Sequence, residues 1–413
     1  MTRRNTASTS AEQPAADAAG SLDGIRVLEL GSMLAGPFVG TMLADFGAEV
    51  IKLEKPGKPD ALREWPPHKG DVPLWWKSMA RNKRTITLDI SHPRARPIVL
   101  ALIEQSDVVV ENFRPGTLER WKLAPDQLGR QYPKVVWVRV SGYGQTGPMR
   151  EQGGYATIAE CFAGLAAMTG FPETGPMVSA FPLGDYLAGI FGAYGAVSAL
   201  LARGRSGRGQ VVDVSLFEPF LRILEAAIVR YDQTGQKKPL LGNQMEEDVP
   251  RNVYRTSDGG HIAISCGSQQ IFDNLMDAIG RPELKADPRF GSMTARVTNR
   301  DAIDATVREW METQATAAAL ERLIAHRVVA GKVNDAEDLF ADPHVAARGA
   351  VQSVEDPELG RLCVPAPVPK LSATPGRIRW TGRAPGADNE WVFRQLLGIA
   401  ADELAELARE RII

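Results

Sequence analysis

The chain has 413 residues, of which 44% are hydrophobic, and a chain of this length predicts two domains with separate cores. Its 48 basic and 50 acidic residues nearly cancel, which excludes an overall field that attracts nucleic acid or an anionic membrane. Cys161, Cys266 and Cys363 are too scattered for a disulfide framework, and the five histidines do not pair at ligand spacing, so no metal site is expected.

The N-terminal segment, residues 1–20, is polar and rich in Ala, Ser and Thr, and it lacks the apolar core of a signal peptide. We expect a disordered tail there. No uninterrupted apolar run reaches the roughly 18 residues that span a bilayer, so no membrane segment is predicted. A reducing, cytoplasmic location is the expectation that fits these observations.

From residue 25 onwards, short apolar runs alternate with helical patterns, which is typical of βαβ units. The predicted strands are residues 25–30, 49–54, 86–88, 107–111 and 135–140, and the predicted helices begin at Pro37, Arg94 and Pro125. This alternation predicts an α/β domain with a parallel sheet, whose ligands lie beyond the carboxyl ends of the strands. The loops after Leu30, Glu111 and Val140 are therefore candidate binding loops.

The first of these loops, Gly31 to Gly36, lacks the GxGxxG order of a dinucleotide fingerprint. A helix N-terminus can still accept a phosphate or the edge of a base, and a purely structural turn explains the glycines equally well. The second loop, residues 112–120, carries Arg114 and Arg120, which suit phosphate or form a solvated helix start.

Two further segments allow a functional and a structural interpretation. Residues 81–84 (RNKR) form a basic cluster, for which a solvated face is the favoured interpretation. Residues 141–148 (SGYGQTGP) follow a strand, and their glycines permit a close ligand, with Tyr143 as a possible hydrogen-bond donor. A turn alone also explains these glycines.

Asp185, in the stretch PLGDYLAG, stands at the start of a long helix without another charge before Arg203. Large apolar residues recur along this helix at helical spacing, from Leu187 to Leu201, and predict a buried face. The unpaired N–H groups and the dipole of a helix start favour an ionised carboxylate, and Gly184 leaves room for a large ligand. We interpret Asp185 as a candidate nucleophile, with a simple N-cap as the alternative.

The remainder of the chain predicts long apolar helices over 155–202 and 211–232, a linker over 234–251 and a hairpin around residues 258–260. Helices continue to about residue 329, a proline-rich extended segment follows residue 344, and a final helix covers 401–410. The predicted division is a tail (1–20), a large domain (21–225), a small α+β domain (226–330) and a C-terminal segment (331–413) that returns to the large domain.

Seven motifs in order resemble the class III CoA-transferase family, which includes formyl-CoA transferase and carnitine CoA-transferase. They are LDGIRVLELGSMLAGPFVGTMLADFGAEVIKLEKP, RNKRTITLDI, VVVENFRPGTLER, VSGYGQTGP, PLGDYLAG, GRSGRGQVVDVSLFE and PVPKLSATPG. The resemblance extends from about Leu22 to the C-terminus. It implies a Rossmann-like large domain with a smaller α+β domain, and an interlocked homodimer.

The resemblance also implies a mechanism in which Asp185 is the nucleophile that attacks an acyl-CoA thioester and becomes an aspartyl-CoA thioester. Backbone N–H groups near Gly142 and Gly144 would stabilise the oxyanion. No permanently bound cofactor is implied, because CoA enters as a thioester substrate. Succinyl-CoA as donor and a dicarboxylate as acceptor are the implied substrates, with Arg63 or Arg81 as hypothetical partners of the distal carboxylate.

The CoA contacts that the resemblance implies comprise two residues before the first helix, one basic residue, one segment around the adenine and two loops. They are Leu34, Ala35, Lys55, Leu88, Asp89, Ile90, Ser91, Asn112, Phe113, Arg114, Arg120, Ser141, Gly142, Tyr143 and Gly144. Formyl-CoA transferases have Gln at the position of Leu34, Lys at that of Ser141 and four consecutive glycines before the small domain. Here these features are absent, which argues against formyl or oxalyl substrates.

Three alternative functions fit the sequence less well. An α-methylacyl-CoA racemase of the same fold uses a histidine beside its aspartate, but Tyr155 stands at that position, so one of the two bases is missing. A nicotinamide dehydrogenase is disfavoured by the glycine spacing of the first loop. A non-catalytic CoA-binding relative would leave Asp185 without a role.

Overall fold

The computed structural model describes residues 19–413, and the predicted tail over residues 1–20 lies almost entirely outside the described residues. The chain forms two compact units. The first comprises the described residues up to Ala163 together with Ser179–Leu224 and Gly349–Ile413, and the second comprises Gly164–Val178 and Glu225–Arg348. The domain limits at residues 225 and 330 stay predictions.

A six-stranded parallel sheet forms the centre of the first unit, as the alternating pattern predicts, and the α/β class is confirmed. Its strands, from one edge to the other, are Val211–Ser215, Val136–Ser141, Val108–Glu111, Arg26–Glu29, Glu49–Glu54 and Lys83–Thr87. In chain order this is the Rossmann arrangement, in which the strand order reverses between the first and the fourth strand. The crevice beyond Glu29 and Glu111 is therefore the expected ligand site.

Apolar side chains on both faces of this sheet are buried, because helices cover both sides. The α-helices of the first unit are Ala35–Asp45, Leu74–Met79, Arg96–Glu104, Thr117–Arg120, Pro125–Leu128, Ala156–Phe162, Leu183–Ser206, Glu218–Ile223 and Ala401–Arg409. Two 3₁₀ turns cover Ala61–Glu64 and Pro93–Ala95, and Glu390–Leu396 forms a π-helix. The short strands His68–Lys69 and Val72–Pro73 pair with each other.

The predicted helix over 211–232 is wrong in its first part, because Val211–Ser215 is an edge strand of the central sheet. Its β-branched residues pair with the strand Val136–Ser141, and tertiary pairing overrides the apolar run. The segment over 155–202, for which helices were predicted, is interrupted by two short strands. The strands Gly170–Phe171 and Gly175–Pro176 form a small hairpin between Ala156–Phe162 and Leu183–Ser206.

The Asp185 helix, Leu183–Ser206, buries the opposite face from the one that the large apolar residues predict. Its buried positions are glycines and alanines, whereas Ile190, Tyr194 and Leu201 are 43%, 71% and 65% exposed. A Cβ at Gly189 would lie 2.8 Å from Phe38, and one at Gly192 would lie 2.7 Å from Val39. The small residues therefore let this helix pack tightly against Ala35–Asp45.

This helix is also long and apolar enough, by length and composition, to cross a membrane. That test alone is weak evidence for a span, because core helices of soluble proteins pass it as well. Here its small residues are buried against the first helix and the sheet.

The second unit contains a three-stranded antiparallel sheet in the order Arg251–Arg255, His261–Ser265 and Ala330–Lys332. The first two strands are the hairpin predicted around residues 258–260. The helices of this unit are Glu225–Thr234, Gln269–Ala278, Met293–Thr298, Arg300–Glu312, Thr316–Ala325, Ala336–Ala341 and Pro343–Arg348, with tighter turns at Ala166–Met168 and Pro282–Lys285. Its core is built on Phe272, Leu275, Ile303 and Leu323.

Of the predicted C-terminal segment, Gly349–Ile413 belongs to the first unit, whereas the residues before Gly349 belong to the second. The part in the first unit begins with the hairpin Val351–Asp356 and Gly360–Pro365 and ends with the helix Ala401–Arg409. Asp388 accepts a hydrogen bond from the backbone N–H of Thr85 at 2.9 Å, and Leu407 packs into the core beside the sheet. Residues far apart in sequence thus complete one core.

Candidate active site

Asp185 is the third residue of its helix, and Pro182 occupies the N-cap position. The side chain makes no capping hydrogen bond, so the N-cap alternative is wrong. The neighbouring Gly184 is required by a close approach of the chain itself, because a Cβ there would lie 3.0 Å from the Cα of Ala156 and 3.2 Å from the ring of Phe220. Gly184 therefore makes room for protein atoms as well.

Burial raises the pKa of Asp185 to about 6. The sequence led us to expect that the helix start stabilises the ionised form, but in the structure desolvation is the larger effect. A carboxylate with this pKa is still mostly ionised at neutral pH, and no described side chain forms an ion pair with it. It is a poorly solvated anion, which is a suitable state for a nucleophile.

The first loop, residues 31–34, is held beside Asp185 by side chains from two other elements. The Asn112 side chain accepts from the Ser32 N–H at 2.8 Å and donates to the Ser32 carbonyl at 2.9 Å. The Asp60 carboxylate accepts from the Met33 N–H at 2.9 Å, and Met33 has a φ of 65°. Because a methionine at positive φ is strained, these hydrogen bonds fix an otherwise unfavourable loop conformation.

The glycines of this loop leave space for the Asn112 side chain. A Cβ at Gly31 would lie 2.4 Å from the Asn112 side-chain oxygen, and a Cβ at Gly36 would lie 3.1 Å from it. The Gly31 to Gly36 spacing is thus explained by the close approach of one amide side chain. The amide of Asn112, which we predicted as a CoA contact, is already hydrogen-bonded to this loop.

Two neighbouring cavities lie at the carboxyl end of the sheet. The Asp185 pocket has a volume of about 260 Å³, and the Lys55 pocket has a volume of about 310 Å³. Ser32 and Phe113 line both of them. A long ligand can therefore occupy both cavities at once, with its two ends in different surroundings.

Most predicted site residues line one of the two cavities. Around the Asp185 pocket are Leu34, Ala35, Asn112, Phe113, Arg114, Ser141, Gly142 and Asp185. Around the Lys55 pocket are Lys55, Leu88, Asp89, Ile90, Ser91 and again Phe113. The structure thus brings together six segments that are distant in sequence, and it distributes them over two adjoining cavities.

Three predicted residues, Arg120, Tyr143 and Gly144, line neither cavity. Arg120 is exposed and donates to the Thr117 hydroxyl at 3.0 Å. The Tyr143 ring packs edge-on against Phe162 with centroids 5.2 Å apart. Gly144 has a φ of 88°, so a turn requires a glycine there.

Lys55 is half exposed and pairs with Asp89 at 2.9 Å. Asp89 also accepts hydrogen bonds from the backbone and hydroxyl of Ser91, and these partners lower the pKa of its carboxyl although burial opposes them. An anionic ligand near Lys55 would have to compete with Asp89 for the ammonium group. The pair therefore makes this pocket mixed in charge.

The Ser141 side chain is buried in the wall of the Asp185 pocket, and its hydroxyl has no hydrogen-bond partner. Beside it, Gly142 and Gly154 approach closely, since a Cβ at Gly142 would lie 2.9 Å from the Cα of Gly154. An unsatisfied buried hydroxyl is unusual, and it is available to a ligand that enters this pocket.

Several lining residues of the Asp185 pocket were not predicted as site residues. They are Ser32, Met33, Trp65, Pro115, Val140, Gln152, Gly153, Gly154, Tyr155 and Leu216. Asp60, which holds Met33, was also missed. The glycine pair before Tyr155 was the available sequence signal for one of these segments, whereas Trp65 and Asp60 have no local pattern that marks them.

The basic cluster at residues 81–84 is not the solvated face that we favoured. Arg81 donates to Asp45 through Nη2 at 2.6 Å and through Nε at 2.9 Å, and Lys83 pairs with Glu29 at 2.8 Å. Arg81, Asn82 and Lys83 are all buried. These residues hold the sheet together, since each finds its partner on another element.

The residues of the Asp185 pocket include no histidine in the part of the chain that the structure describes. Tyr155, which stands where a racemase would have histidine, is 76% exposed at the start of the helix Ala156–Phe162. A two-base proton transfer therefore lacks one base in this pocket. A single carboxylate nucleophile is the chemistry that the described residues support.

Comparison with known proteins adds independent information. The model of CoA-transferase family III matches residues 22–389. The chain is 44% identical to the succinyl-CoA–D-citramalate CoA-transferase of Chloroflexus aurantiacus over 95% of this chain and 98% of that protein. It is 33% identical to the human succinyl-CoA:glutarate CoA-transferase over 85% of this chain and 80% of that protein.

A solved structure shows the same fold. A CAIB/BAIF family protein from Brucella suis superimposes with a TM-score of 0.82 at 30% identity, and the match covers 92% of this chain and all of that one.

Proposed function

The chain belongs to CoA-transferase family III and is a CoA-transferase, and from this we propose that it moves CoA from succinyl-CoA to a small dicarboxylic acid through Asp185. The observation that carries the proposal is the half-buried, unpaired carboxylate of Asp185 in a pocket that adjoins the Lys55 pocket. A donor with a long CoA moiety and a small acyl end suits two connected cavities.

The proposed reaction begins when a carboxylate oxygen of Asp185 attacks the thioester carbonyl of the donor. The C–S bond breaks, CoA leaves as thiolate, and a mixed anhydride forms between Asp185 and the donor acid. The thiolate then attacks the Asp185 carbonyl carbon, which releases the donor acid and leaves an aspartyl-CoA thioester. The acceptor carboxylate repeats the sequence in reverse, so Asp185 is regenerated without a net proton change.

Negative charge develops on the carbonyl oxygen in each of these steps. The unpartnered hydroxyl of Ser141 and the backbone N–H of Gly142 are the donors that we assign to it. The first loop contributes the backbone of Leu34 and Ala35 on another wall of the same pocket. Because Asn112 and Asp60 fix this loop before substrate arrives, little reorganisation is needed during the reaction.

We assign the Lys55 pocket to the adenosine end of CoA. Leu88 and Ile90 provide apolar contacts, and Lys55 and Lys58 provide positive charge for phosphate groups. Phe113, which lines both pockets, would lie along the chain that connects the two ends. CoA is a substrate in this assignment, and no permanently bound cofactor is proposed.

The proposed substrates follow from the relatives. Three of the similar proteins are named for succinyl-CoA with D-citramalate, L-malate or glutarate as the second substrate. All of these acids carry two carboxylates and a short carbon chain. We extend this class of dicarboxylic acids to the present protein without choosing one acid within it. We also propose a cytoplasmic location.

The experiment that tests the function uses purified full-length protein with succinyl-CoA and a pool of mono- and dicarboxylic acids in D₂O. Mass spectrometry follows new acyl-CoA species and deuterium at the α-carbon together. New acyl-CoA masses derived from dicarboxylates are the expected result. Deuterium in a 2-methylacyl-CoA substrate without transfer would replace the proposal by racemisation, and transfer to monocarboxylates alone would remove the dicarboxylate class.

The pH dependence of the reaction is a direct consequence of the raised pKa of Asp185. Nucleophilic attack needs the carboxylate, and with a pKa of about 6 its ionised fraction falls from nearly complete at pH 8 to about a tenth at pH 5. We expect kcat/KM for succinyl-CoA to fall about tenfold over this range, with a midpoint near pH 6. A flat profile down to pH 5 would contradict it.

We also propose a homodimer, which the class III family resemblance implies and the exposed apolar surface supports. Tyr155, Ile158 and Phe162 on one helix are 76%, 48% and 50% exposed, and Ile190 and Tyr194 on the Asp185 helix are exposed as well. An apolar face of this extent is typical of a surface that another chain covers.

Light scattering after size-exclusion chromatography should give twice the mass of one chain. A monomeric mass at micromolar concentration would contradict the dimer. In the dimer, we expect Tyr194→Glu to weaken association and to lower the dimer fraction, because it places a charge in an apolar contact. The matched control is Arg150→Met, at an exposed position whose pairing partner is the adjacent Glu151.

A further inference from the structure

Met33, in the first loop, has a φ of 65°, a left-handed conformation that is unfavourable for a residue with a Cβ. Five non-glycine residues in the described part of the chain have a positive φ, and Met33 is the one among them that lines the Asp185 pocket. Such a conformation persists only where the surrounding structure imposes it. The residue that imposes it here is therefore a candidate for a role in the reaction.

The hydrogen bond that holds Met33 comes from Asp60. One carboxylate oxygen of Asp60 accepts from the Met33 N–H at 2.9 Å and from the Leu62 N–H at 3.0 Å, and the other oxygen pairs with the Lys52 ammonium group at 2.8 Å. Burial alone would raise the pKa of the Asp60 carboxyl, but Lys52 and the two N–H groups hold this pKa below its usual value. Met33 is therefore held by an ionised acceptor, which binds an N–H more strongly than a neutral one.

Asp60 is itself fixed by its neighbours. The buried side chain of Glu54 accepts from the Asp60 N–H at 2.9 Å and from Arg63 at 2.7 and 2.9 Å. Lys52, the ion-pair partner of Asp60, also donates to the Gly31 carbonyl at the other end of the first loop. Arg63, one of the hypothetical partners of a distal carboxylate, is thus neutralised by Glu54 and does not line the Asp185 pocket.

The conformation of Met33 decides where the next two backbone N–H groups lie. Leu34 and Ala35 line the Asp185 pocket, and their N–H groups donate to no described residue. Unpaired N–H groups are the donors that a carbonyl oxygen needs when negative charge develops on it. Because φ and ψ are the two soft dihedrals of a residue, a change to negative φ at Met33 would reorient the peptide groups that follow it.

We propose that Asp60 is a positioning residue for CoA transfer, which holds Met33 in the left-handed conformation and thereby fixes the N–H groups of Leu34 and Ala35 in the Asp185 pocket; this rests on the proposed function. Asp60 lines the neighbouring Lys55 pocket and not the Asp185 pocket, so it acts on the reaction through the loop. The loop is ordered before substrate binds, so substrate binding does not have to order it.

The test follows the exchange of ¹³C-labelled succinate into succinyl-CoA by mass spectrometry, because the proposed mechanism catalyses this exchange without any other acceptor. Asp60→Asn keeps an oxygen that accepts from Met33, whereas Asp60→Ala keeps none, and both variants lose the ion pair with Lys52. We expect kcat/KM for succinyl-CoA to be about 10-fold lower in Asp60→Ala than in Asp60→Asn, because only the former loses the hydrogen bond to the loop.

A second comparison separates positioning from a general loss of stability. Glycine adopts positive φ without the steric cost of a Cβ, so Met33→Gly should restore part of the exchange in Asp60→Ala. Met33→Ala removes nearly the same side chain but keeps the Cβ, and the double variant with glycine should be about 5- to 30-fold faster than the one with alanine. Its melting temperature should not rise, because glycine gives Lys52 no partner and makes the unfolded chain more flexible.

Glu64→Ala is the matched control, since Glu64 is an exposed acid in the same turn, and it should exchange succinate within about twofold of the wild-type rate. If Asp60→Ala does not fold, the same comparisons are made with Lys52→Met added, which removes the lysine that would otherwise lack this partner.

Equal exchange by Asp60→Asn and Asp60→Ala, or equal exchange with glycine and with alanine at residue 33, would overturn the inference alone, provided that the wild type is active. A wild-type enzyme that exchanges no succinate would instead overturn the proposed function.

Discussion

Asp185→Ala should lower the rate of CoA transfer by about 10³-fold or more while CoA binding persists. The large loss is expected because no other carboxylate lines the described part of the pocket, so no side chain can replace the nucleophile. Binding should persist because the adenosine end is assigned to the Lys55 pocket. The measurements are transfer kinetics and the Kd of CoA by calorimetry.

Asp185→Asn provides a control that keeps the shape of the side chain. It should be as inactive as Asp185→Ala, and it should be more stable than wild type, on the order of 2 kcal/mol at pH 8, because it removes a poorly solvated charge. The sign follows from the raised pKa: ionised Asp185 destabilises the fold above about pH 6, and this effect vanishes below about pH 4.

Melting temperatures of Asp185→Asn and wild type should therefore diverge at pH 8 and converge toward pH 4. In addition, incubation of wild type with succinyl-CoA followed by intact mass spectrometry should show a CoA adduct that Asp185→Asn lacks. Transfer by Asp185→Asn at a rate near that of wild type would refute the nucleophilic role.

Glu29→Gln should destabilise the first unit by about 3–5 kcal/mol, which corresponds to a fall in melting temperature of about 5–10 °C. Glu29 is fully buried beneath the first loop and pairs with Lys52 at 3.4 Å and with Lys83 at 2.8 Å. Without its charge, two buried lysines would share the remaining acid, Asp60. An uncompensated buried charge is far more costly than the loss of an exposed pair.

The ion pair of Glu29 and Lys83 also makes the loss of stability depend on pH. Burial lowers the pKa of Lys83 to about 8, although Glu29 opposes the shift. When Glu29 is neutralised, Lys83 should lose its proton at still lower pH, so the defect of Glu29→Gln should be smaller above pH 8 than at pH 6. Thermal unfolding over this pH range measures the difference.

The double variant Glu29→Gln with Lys83→Met tests the same pairing from the other side. It removes one cation together with the anion, and it should be more stable than Glu29→Gln alone, with a coupling of about 1–3 kcal/mol. Glu104→Gln, on an exposed helix position, is the matched control and should change stability by less than about 0.5 kcal/mol. Additive effects of the two buried substitutions would contradict a direct interaction.

Much of the fold was predictable because the patterns that define it are local. Apolar runs such as residues 49–54 and 135–140 predict buried strands, and glycine or proline marks their ends. The strand at Val211–Ser215 was missed because an apolar, β-branched run has the same appearance in a helix and in an edge strand. Only its pairing with Val136–Ser141 distinguishes the two.

The candidate site was predictable to the level of segments. The three loops after the strands line the two cavities, as the position of ligands in open α/β sheets requires. Within these segments, Tyr143, Gly144 and Arg120 line neither cavity, because the direction of a side chain depends on the local turn. Trp65 and Asp60 enter the site from segments that have no distinctive pattern.

The sequence by itself determined the parallel α/β architecture, the family and the candidate nucleophile. The spacing of hydrophobic residues, the turn residues and the motifs that indicate them are all patterns of neighbouring residues. The tertiary structure decided which face of the Asp185 helix is buried, the direction of the Asp185 pKa and the partners of the arginines. Arg63 meets the carbonyl of Arg383, 320 residues away, and Arg81 meets Asp45. Burial and charge pairing depend on residues that only the fold brings together, so no local pattern contains them.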